Sequence, residues 1–293
     1  MKLAPLIHHA PTSLEEATDL LAEFADDAKI IAGGQSLVPM LSYRLIPVTR
    51  LVDIAGIDEL SGFRLDDDAL RIRARATQRQ IERSMDVGIA FPILHEAIAN
   101  IAHVQIRNRG TVCGSLAHAD PAAELPTAMV ALSATMIVRS ARGEREIPAE
   151  EFFTFHLTSA LEPTEILVET RVPRFQGRTF GSFLEVTHRR GDFALVGAAV
   201  VARFDADDRV EDCRIVCSGV GPTPFQANPA EVLLRGNRLS DEMLIDAQQA
   251  VRECVQASDD VHASASYRRN VAGAIVRRCL NHIRTQQGVD HRD

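Results

Sequence analysis

Two glycine-bearing segments, each close to apolar residues, most constrain the fold of this chain. They are IIAGGQSLVPML at residues 30–41 and NRGTVCGSLAHADPAAELP at residues 108–126. Glycine lets a backbone approach another group closely, and the first segment has apolar residues on both sides. The pattern predicts a turn between a strand and a helix, with Gly33 and Gly34 close to a ligand.

The overall composition limits the classes of protein to which the chain can belong. It has 293 residues, 46% of them hydrophobic, and a formal net charge of -8. Two domains, or one domain with a large appendage, are expected at this length. The scattered basic residues do not favour nucleic-acid binding. No apolar stretch reaches the roughly 18 residues of a membrane span, and the N-terminus lacks the apolar core of a signal peptide, so a cytoplasmic location is expected.

The cysteines do not show the spacing of a metal site. Cys113, Cys213, Cys217, Cys254 and Cys279 include no CxxC pair and no His/Cys cluster with zinc or iron–sulfur spacing. Cys213 and Cys217 alternate with apolar residues, which is typical of buried strands. No Ser-His-Asp or paired-carboxylate arrangement can be identified, so no catalytic residue is predicted.

The first part of the chain is predicted to alternate helices and strands. Thr12 and Glu15 predict a capping box ahead of an amphipathic helix, and Thr77 is predicted to cap a helix through Val87. Another helix is expected after Pro92. Five segments have the pattern of strands or hairpins: KIIAG, RLVDI, DALRIRARAT, ATMIVRSARGEREIP and EILVETRVP.

The composition changes after Pro173. Three strand-like runs, FGSFLEV, FALVGAAVVARFD and RVEDCRIVCSGVG, are followed by helices that begin near Asp241 and Tyr267. The polar, glycine-containing residues 174–178 predict a domain boundary. Residues 286–293 are expected to form a flexible tail.

The first glycine segment does not match the common phosphate-binding motifs. A Rossmann site needs G-x-G-x-x-G and a P-loop needs Gly-Lys-Ser/Thr, whereas the chain has AGGQSL. Taken alone, this segment is compatible with a simple tight turn. The second segment, however, again gathers small residues and backbone amides and is followed by Glu124. Two groups of amide donors can hold a pyrophosphate without lysine, and a carboxylate can accept hydrogen bonds from sugar or ribityl hydroxyls.

The segments KIIAGGQSLVPMLSYRL, QIRNRGTVCGSLAHADPAAELP and THRRGDFALVGAAV occur in this order along the chain. Together they resemble the FAD-binding medium subunit of the molybdenum hydroxylases, the family of xanthine dehydrogenase and aerobic carbon monoxide dehydrogenase. The resemblance covers nearly the whole chain and implies an α+β fold. A vanillyl-alcohol-oxidase-type FAD-binding domain of two α/β subdomains, at about residues 1–55 and 56–175, would precede a C-terminal domain at 178–285. The latter would contain a three-stranded antiparallel sheet with helices.

The resemblance also implies residues that bind FAD non-covalently. Residues 30–36 would bind the diphosphate through their main chain, and residues 111–115 would form a second diphosphate-contacting loop. Glu124 would accept hydrogen bonds from FAD hydroxyls, and Phe193 would lie near the isoalloxazine, where stacking adds on the order of 1 kcal/mol. The predicted cofactor-binding residues are Lys29, Ile30, Ile31, Ala32, Gly33, Gly34, Gln35, Ser36, Leu37, Ile101, Thr111, Cys113, Gly114, Ser115, His118, Glu124, Leu167, Asp192 and Phe193.

Cys113 departs from the family pattern, which usually has glycine at this position. Its side chain could crowd the phosphate if the residue requires a positive φ. A redox role for the thiol is disfavoured because nothing basic adjoins it in the sequence.

The function implied by the resemblance is that of an electron-transfer flavoprotein subunit. Substrate would be hydroxylated at a molybdopterin cofactor in a large subunit, and electrons would pass through [2Fe-2S] clusters of a small subunit to FAD in this chain. The final acceptor would be NAD, a quinone or another carrier, and a dimer of heterotrimers is expected. Two alternatives stay open: a stand-alone flavin oxidase of the same fold, and a cofactor-free interaction subunit.

Overall fold

The computed structural model describes residues 3–290. Two compact units account for them. The first contains the chain up to Ser84, His103–Ala119 and Ala134–Val172, and the second contains Met85–Ala102, Asp120–Ser133 and the chain from Pro173 onward. Both units are therefore discontinuous in sequence, whereas the predicted domains at 1–175 and 178–285 are continuous. The domain division stays a prediction.

The secondary structure of residues 3–290 mixes strands with helices. The strands are β1 (Ile7–His9), β2 (Ala28–Ile31), β3 (Arg50–Asp53), β4 (Phe63–Leu65), β5 (Ala69–Arg73), β6 (Thr135–Ser140), β7 (Gly143–Pro148), β8 (Phe153–Phe155), β9 (Thr158–Ser159), β10 (Ile166–Pro173), β11 (Arg178–Thr187), β12 (Ala194–Phe204), β13 (Val210–Ser218) and β14 (Phe225–Gln226). The α-helices are α1 (Leu14–Phe24), α2 (Leu37–Ser42), α3 (Gln78–Glu82), α4 (Met85–Ala90), α5 (Pro92–Asn100), α6 (Val104–Arg107), α7 (Val112–His118), α8 (Glu124–Ala131), α9 (Ala149–Phe152), α10 (Asn228–Leu234), α11 (Asp241–Cys254) and α12 (Ala265–Asp290).

The first unit contains a small parallel sheet and a larger sheet. The parallel sheet has the order β1-β3-β2, and the larger sheet has the order β4-β5-β10-β6-β7. In the parallel sheet Ile30 pairs with Val52 and Ile31 with Asp53. Strand β2 therefore ends at Ile31, and the first glycine segment leaves the sheet immediately after it.

Two helix termini in the first unit differ from their predicted positions. Helix α1 is capped by Ser13, whose hydroxyl accepts from the Glu16 amide, and not by the predicted pair Thr12 and Glu15. The Glu16 carboxylate in turn accepts from the Thr12 amide, so the capping interactions lie one residue later than predicted. The predicted capping box at Thr77 is confirmed, but α3 ends at Glu82. The Ser84 amide donates to the Ile81 carbonyl, three residues earlier, and this bond of the 3-10 type ends the helix before Val87.

The second unit contains an antiparallel sheet of order β11-β12-β13-β14. The three predicted strands are present, and the two-residue strand β14 adds an edge that was not predicted. One face of the sheet packs against α10, α11 and α12 through a continuous apolar core. Helix α11 begins at Asp241 as predicted, because the Ser240 hydroxyl accepts from the Met243 amide.

Helix α12 extends into the predicted C-terminal tail. Residues 286–290 continue this helix, and residues 291–293 lie outside the described residues. Among residues 3–290, no helix combines the length and hydrophobicity that a bilayer span requires.

Candidate functional site

The first glycine segment forms a half-buried turn between β2 and α2 in the first unit. Gly34 has a φ of +72°, a left-handed conformation that favours glycine. The amides of Gly33, Gly34, Gln35 and Ser36 donate no hydrogen bond to any residue between 3 and 290. The Gln35 side-chain amide closes the turn by donating to the Gly33 carbonyl at 2.9 Å. Successive unpaired amides around a left-handed residue form a concave donor surface for an anion.

The structure brings the two glycine segments together. A Cβ atom added to Gly33 would lie 2.2 Å from the carbonyl oxygen of Arg109 and 2.9 Å from the Cα of Gly110. Only glycine allows this contact, since ordinary van der Waals contact begins at 3.4 Å. Gly33 is therefore required for the packing of one segment on the other.

The second segment has a different role from the first, because most of its amides are already paired. The Val112 amide donates to the Ala76 carbonyl at 3.1 Å, and the Ser115 amide donates to the Thr111 carbonyl at 3.2 Å. The Thr111 hydroxyl accepts from the Gly114 amide at 3.1 Å and begins α7. The expectation of a second group of unpaired amides is therefore wrong at these three positions. This segment supports the first one and leaves Gly114 exposed and Ser115 half-buried.

Gly114 is required by the cap of α7. A Cβ atom at this position would lie 2.6 Å from the Thr111 hydroxyl oxygen, which would break the capping bond.

Cys113 directs its thiol away from the glycine segments and into the larger sheet. Its Sγ donates to the Ile72 carbonyl at 3.5 Å and lies 3.4 Å from the Thr170 hydroxyl. The residue is buried and helical, and it is absent from the described residues with positive φ. Cys113 therefore does not have the positive φ on which the expected crowding of the phosphate depended. Burial raises the pKa of this thiol to about 12, which disfavours a thiolate.

A buried ion pair holds the start of the second segment. The guanidinium of Arg107, at the end of α6, donates to both carboxylate oxygens of Glu82 at 2.9 and 3.0 Å. Hydrogen bonding from Arg107, with a smaller contribution from Arg79, lowers the pKa of Glu82. Both partners are mostly buried, so this bidentate pair fixes α6 against α3.

The other predicted residues of the first unit occupy different environments. Lys29 is exposed and Ile30 half-buried in β2, and Leu167 is buried in β10 opposite Val138. His118 is half-buried at the end of α7. Residues 31, 32 and 37 are half-buried on either side of the turn, and Ile31 and Leu37 pack against the core of the parallel sheet.

Four of the predicted residues lie in the second unit. Ile101 caps the end of α5, and Glu124 is buried at the start of α8. Asp192 and Phe193 are exposed in the connection between β11 and β12, with 72% of the Phe193 surface accessible. A ring this exposed is free to stack on a planar partner.

Sequence reasoning missed Gln78, which lies beside the second segment. Its side-chain oxygen is buried and has no hydrogen-bond partner within residues 3–290, and it would lie 3.0 Å from a Cβ atom added to Gly110. The backbone amide of Gln78 donates to the Gly110 carbonyl at 2.8 Å. In the sequence Gln78 appears only as a polar residue of a capped helix, so no signal distinguishes it. In residues 3–290 no three His, Cys, Asp or Glu side chains gather as potential metal ligands.

Comparisons with known proteins match nearly the whole chain. Residues 4–175 match the FAD binding domain in molybdopterin dehydrogenase, and residues 182–283 match the CO dehydrogenase flavoprotein C-terminal domain. The chain is 40% identical over 284 residues to the 6-hydroxypseudooxynicotine dehydrogenase complex subunit alpha of Paenarthrobacter nicotinovorans, covering 95% of this chain and 96% of that protein. It is 34% identical over 274 residues to the carbon monoxide dehydrogenase medium chain of Hydrogenophaga pseudoflava, covering 94% and 95%.

Solved structures give the same result for the fold. A chain of carbon monoxide dehydrogenase from Hydrogenophaga pseudoflava superposes with a TM-score of 0.92 at 35% identity, covering 96% of this chain and 98% of that chain. A chain of quinoline 2-oxidoreductase from Pseudomonas putida 86 gives a TM-score of 0.91 at 35% identity, covering 97% and 98%. The predicted α+β fold, with an FAD-binding domain and a C-terminal flavoprotein domain, is confirmed.

Proposed function

Because this chain belongs to the family of FAD-binding medium subunits of the molybdenum hydroxylases, we propose that the amides of residues 33–36 bind the FAD diphosphate. One observation supports this assignment above the others. Four successive backbone amides have no partner among the described residues, and they lie in a turn that contains a left-handed glycine. Amide donors of this kind suit a diphosphate in a chain whose net charge is -8.

The predicted diphosphate-binding residues of the second segment take a supporting role in this proposal. Thr111 and Gly114 form the cap that orders α7, and Gly110 provides the surface on which Gly33 rests. Ser115 keeps a half-buried hydroxyl that makes no hydrogen bond with the described residues and is available to a phosphate oxygen. Gln78 is added as a candidate, since its buried side-chain oxygen has no partner among the described residues and can accept a hydrogen bond from the cofactor.

The remaining assignments stay predictions. Glu124 would accept hydrogen bonds from FAD hydroxyls, and Phe193, next to Asp192, would stack on the isoalloxazine. Ile101 and Leu167 would provide apolar contacts to the cofactor, and Lys29 and His118 would lie at its edge.

The chain is an oxidoreductase subunit that binds FAD, and its role in electron transfer is consistent with this family. FAD supplies the redox chemistry, since it can take up two electrons and release them to an acceptor. The residues of this chain would bind and orient the cofactor and set the charge around it. No residue is assigned a proton-transfer role.

The relatives are named as subunits or chains of dehydrogenases, which supports assembly with other chains. We propose a large molybdopterin subunit and a small [2Fe-2S] subunit as partners, in a dimer of heterotrimers. The electron acceptor, whether NAD, a quinone or another carrier, and the cytoplasmic location stay predictions.

No observation in the structure supports either alternative function, the cofactor-free interaction subunit or the stand-alone flavin oxidase. The cofactor-free alternative depended on Cys113, whose thiol points into the sheet. A stand-alone oxidase would need substrate-directed chemistry, and none of the groups described above provides it.

The visible spectrum of the purified chain tests the proposal. Flavin absorption bands at one FAD per chain, with free FAD released by acid precipitation, are the expected result. A chain that neither retains FAD nor binds it when it is added would refute FAD binding. Hydroxylation of aromatic heterocycles, aldehydes or carbon monoxide by the lone chain would refute the subunit assignment, and activity only after co-expression with both partners would support it.

A further inference from the structure

A cavity of about 200 Å³ lies within the second unit, at one end of its antiparallel sheet. Three neighbouring strands form its floor. Arg203 of β12 pairs with Thr179 of β11 and with Asp212 of β13, and Val201 of β12 pairs with Arg214 of β13. Side chains that face each other across strands, or lie two residues apart along one strand, share a face of the sheet. All five side chains therefore lie on one face, and all five line the cavity.

The walls of the cavity are the end of α8 and the segment of residues 173–176. This segment begins the stretch predicted above as a domain boundary, and it is held in place by side chains. The ring of Phe175 lies 5.9 Å from the ring of Phe91, which is fully buried. The Thr179 hydroxyl donates to the Gln176 carbonyl at 2.6 Å. The segment is therefore a fixed wall that presents its arginine, Arg174, to the cavity.

The lining of the cavity is positively charged. Arg174, Arg203 and Arg214 contribute three guanidinium groups and Asp212 one carboxylate, so the formal charge of the lining is +2. The C-terminal end of α8 adds a partial charge of roughly -0.5, which leaves the lining positive. All three arginines are half-buried, so water screens these charges less than it would at an exposed site.

Two charged groups outside the lining cancel each other. The Glu211 carboxylate lies 3.1 Å from Nε of Arg203, and the Arg235 guanidinium lies 3.3 Å from the Asp212 carboxylate. One adds a negative charge and the other a positive charge. The excess of positive charge in the cavity is therefore not neutralised by these partners.

Two of the guanidinium groups have donors to spare. Arg174 makes no hydrogen bond or ion pair with any of residues 3–290. Arg203 contacts Glu211 as an ion pair, but it donates no hydrogen bond to a residue in that range. A guanidinium carries several N–H donors in a planar fork, and donors withdrawn from water without a partner cost free energy. An anion in the cavity would supply the acceptors.

We propose that this cavity binds a small oxyanion of the phosphate type, either inorganic phosphate or the phosphate group of a monoester. Its volume lies below the roughly 300–1,000 Å³ of pockets for drug-sized ligands, which favours a small anion. A phosphate group carries a charge of about -1.5 to -2 at pH 7, which matches the charge of the lining, and guanidinium groups bind it through paired hydrogen bonds. None of the residues predicted to bind FAD lines the cavity, so the inference goes beyond the proposed function and does not depend on it.

Calorimetric titration of the full-length chain, with FAD at saturating concentration throughout, tests the proposal. The probes are inorganic phosphate, glycerol 3-phosphate and acetate. We expect saturable binding of one phosphate per chain. Arg174→Gln and Arg203→Gln should each raise its Kd about tenfold, through the loss of a hydrogen bond to a charged group. Arg278→Gln is the matched control, because Arg278 is an exposed arginine of α12 outside the cavity, and it should leave the Kd unchanged.

Asp212→Asn tests the electrostatic argument in the opposite direction. This variant removes the one carboxylate of the lining, so phosphate should bind about threefold more tightly. Arginines that only stabilise the fold would not produce such a gain in affinity. The variant also decides the question if the arginine variants do not fold.

The three probes identify the source of the oxyanion. Tighter binding of glycerol 3-phosphate than of phosphate would support a phosphorylated small molecule as the ligand, and the reverse order would support the free ion. The absence of saturable binding of either probe to the wild-type chain would overturn the proposal. So would acetate that binds as tightly as phosphate, or folded Arg174→Gln and Arg203→Gln chains with the same Kd as the Arg278→Gln control.

Discussion

Replacing Gly33 with alanine should strongly weaken FAD binding. The added Cβ atom would lie 2.2 Å from the Arg109 carbonyl oxygen, so the two backbones would have to separate by about 1 Å to reach the 3.4 Å of ordinary contact. The other two close atoms, the carbonyl carbon of Arg109 and the Cα of Gly110, both lie at 2.9 Å, and all three belong to the backbone. The strain therefore has to move the turn that carries the unpaired amides.

The size of the loss in FAD affinity follows from the hydrogen bonds between these amides and the diphosphate. A hydrogen bond to a charged group contributes about 1.5–3 kcal/mol. A displacement near 1 Å takes such bonds out of their distance range, and the loss of two of the four would cost about 3–6 kcal/mol. This corresponds to FAD binding that is weaker by a factor on the order of 10² to 10⁴.

Fluorescence titration of the full-length apoprotein with FAD and with riboflavin measures this effect. Gly33→Ala should bind FAD far more weakly and lose its preference for FAD over riboflavin, because riboflavin has no diphosphate. Gly221→Ala is the matched control, since its Cβ atom would meet its nearest neighbour at 3.9 Å without a left-handed φ. A folded Gly33→Ala chain with wild-type FAD affinity, or with equal losses for both ligands, would refute the diphosphate assignment.

Three further predictions follow from the buried side chains. Cys113→Gly should lower the free energy of unfolding by about 2 kcal/mol, through a cavity and lost helix propensity, and leave the FAD affinity unchanged; tighter FAD binding would contradict this. Arg107→Ala should lower the free energy of unfolding in urea by about 2 kcal/mol because it leaves the Glu82 charge without its main partner, whereas Arg142→Ala, at an exposed ion pair, should change it little; equal effects would show that the buried pair is not special. Burial, together with the charge of Glu124, raises the pKa of Glu185 from its ordinary 4.5 to about 8, so the folded apoprotein keeps a proton that the unfolded chain releases. Its stability should therefore fall as the pH rises from about 4.5 to about 8, and Glu185→Gln should show a smaller fall in thermal melts across this range; an identical slope would refute the shift.

Local patterns in the sequence determined the elements on which the candidate site is built. The apolar run before Gly33 predicted a strand, and β2 ends at Ile31. Thr77 with Gln80 predicted a capping box, which forms because both side chains bond to nearby backbone amides. The shift at α1 from Thr12 to Ser13 is a local competition between neighbouring cap residues, and such competition is poorly resolved by pattern alone.

The sequence also determined the family and the identity of the cofactor, because the three glycine-bearing and polar motifs are specific in combination. The matches at residues 4–175 and 182–283 agree with that resemblance. No motif, however, could show which amides stay unpaired. That property depends on whether a distant carbonyl, such as that of Ala76, is placed to accept from an amide of the second segment.

Only the tertiary structure decided how the two segments divide their roles. It placed Gly33 against the backbone of Arg109 and directed the thiol of Cys113 into the sheet. It also put Glu185 and Ser218 on either side of Gly197, although the chain separates them by long stretches of sequence. Contacts of this kind depend on strand register and burial, which bring together residues that lie far apart in the sequence. The sequence therefore specified the cofactor, and the packing of the sheets decided which atoms are left to bind it.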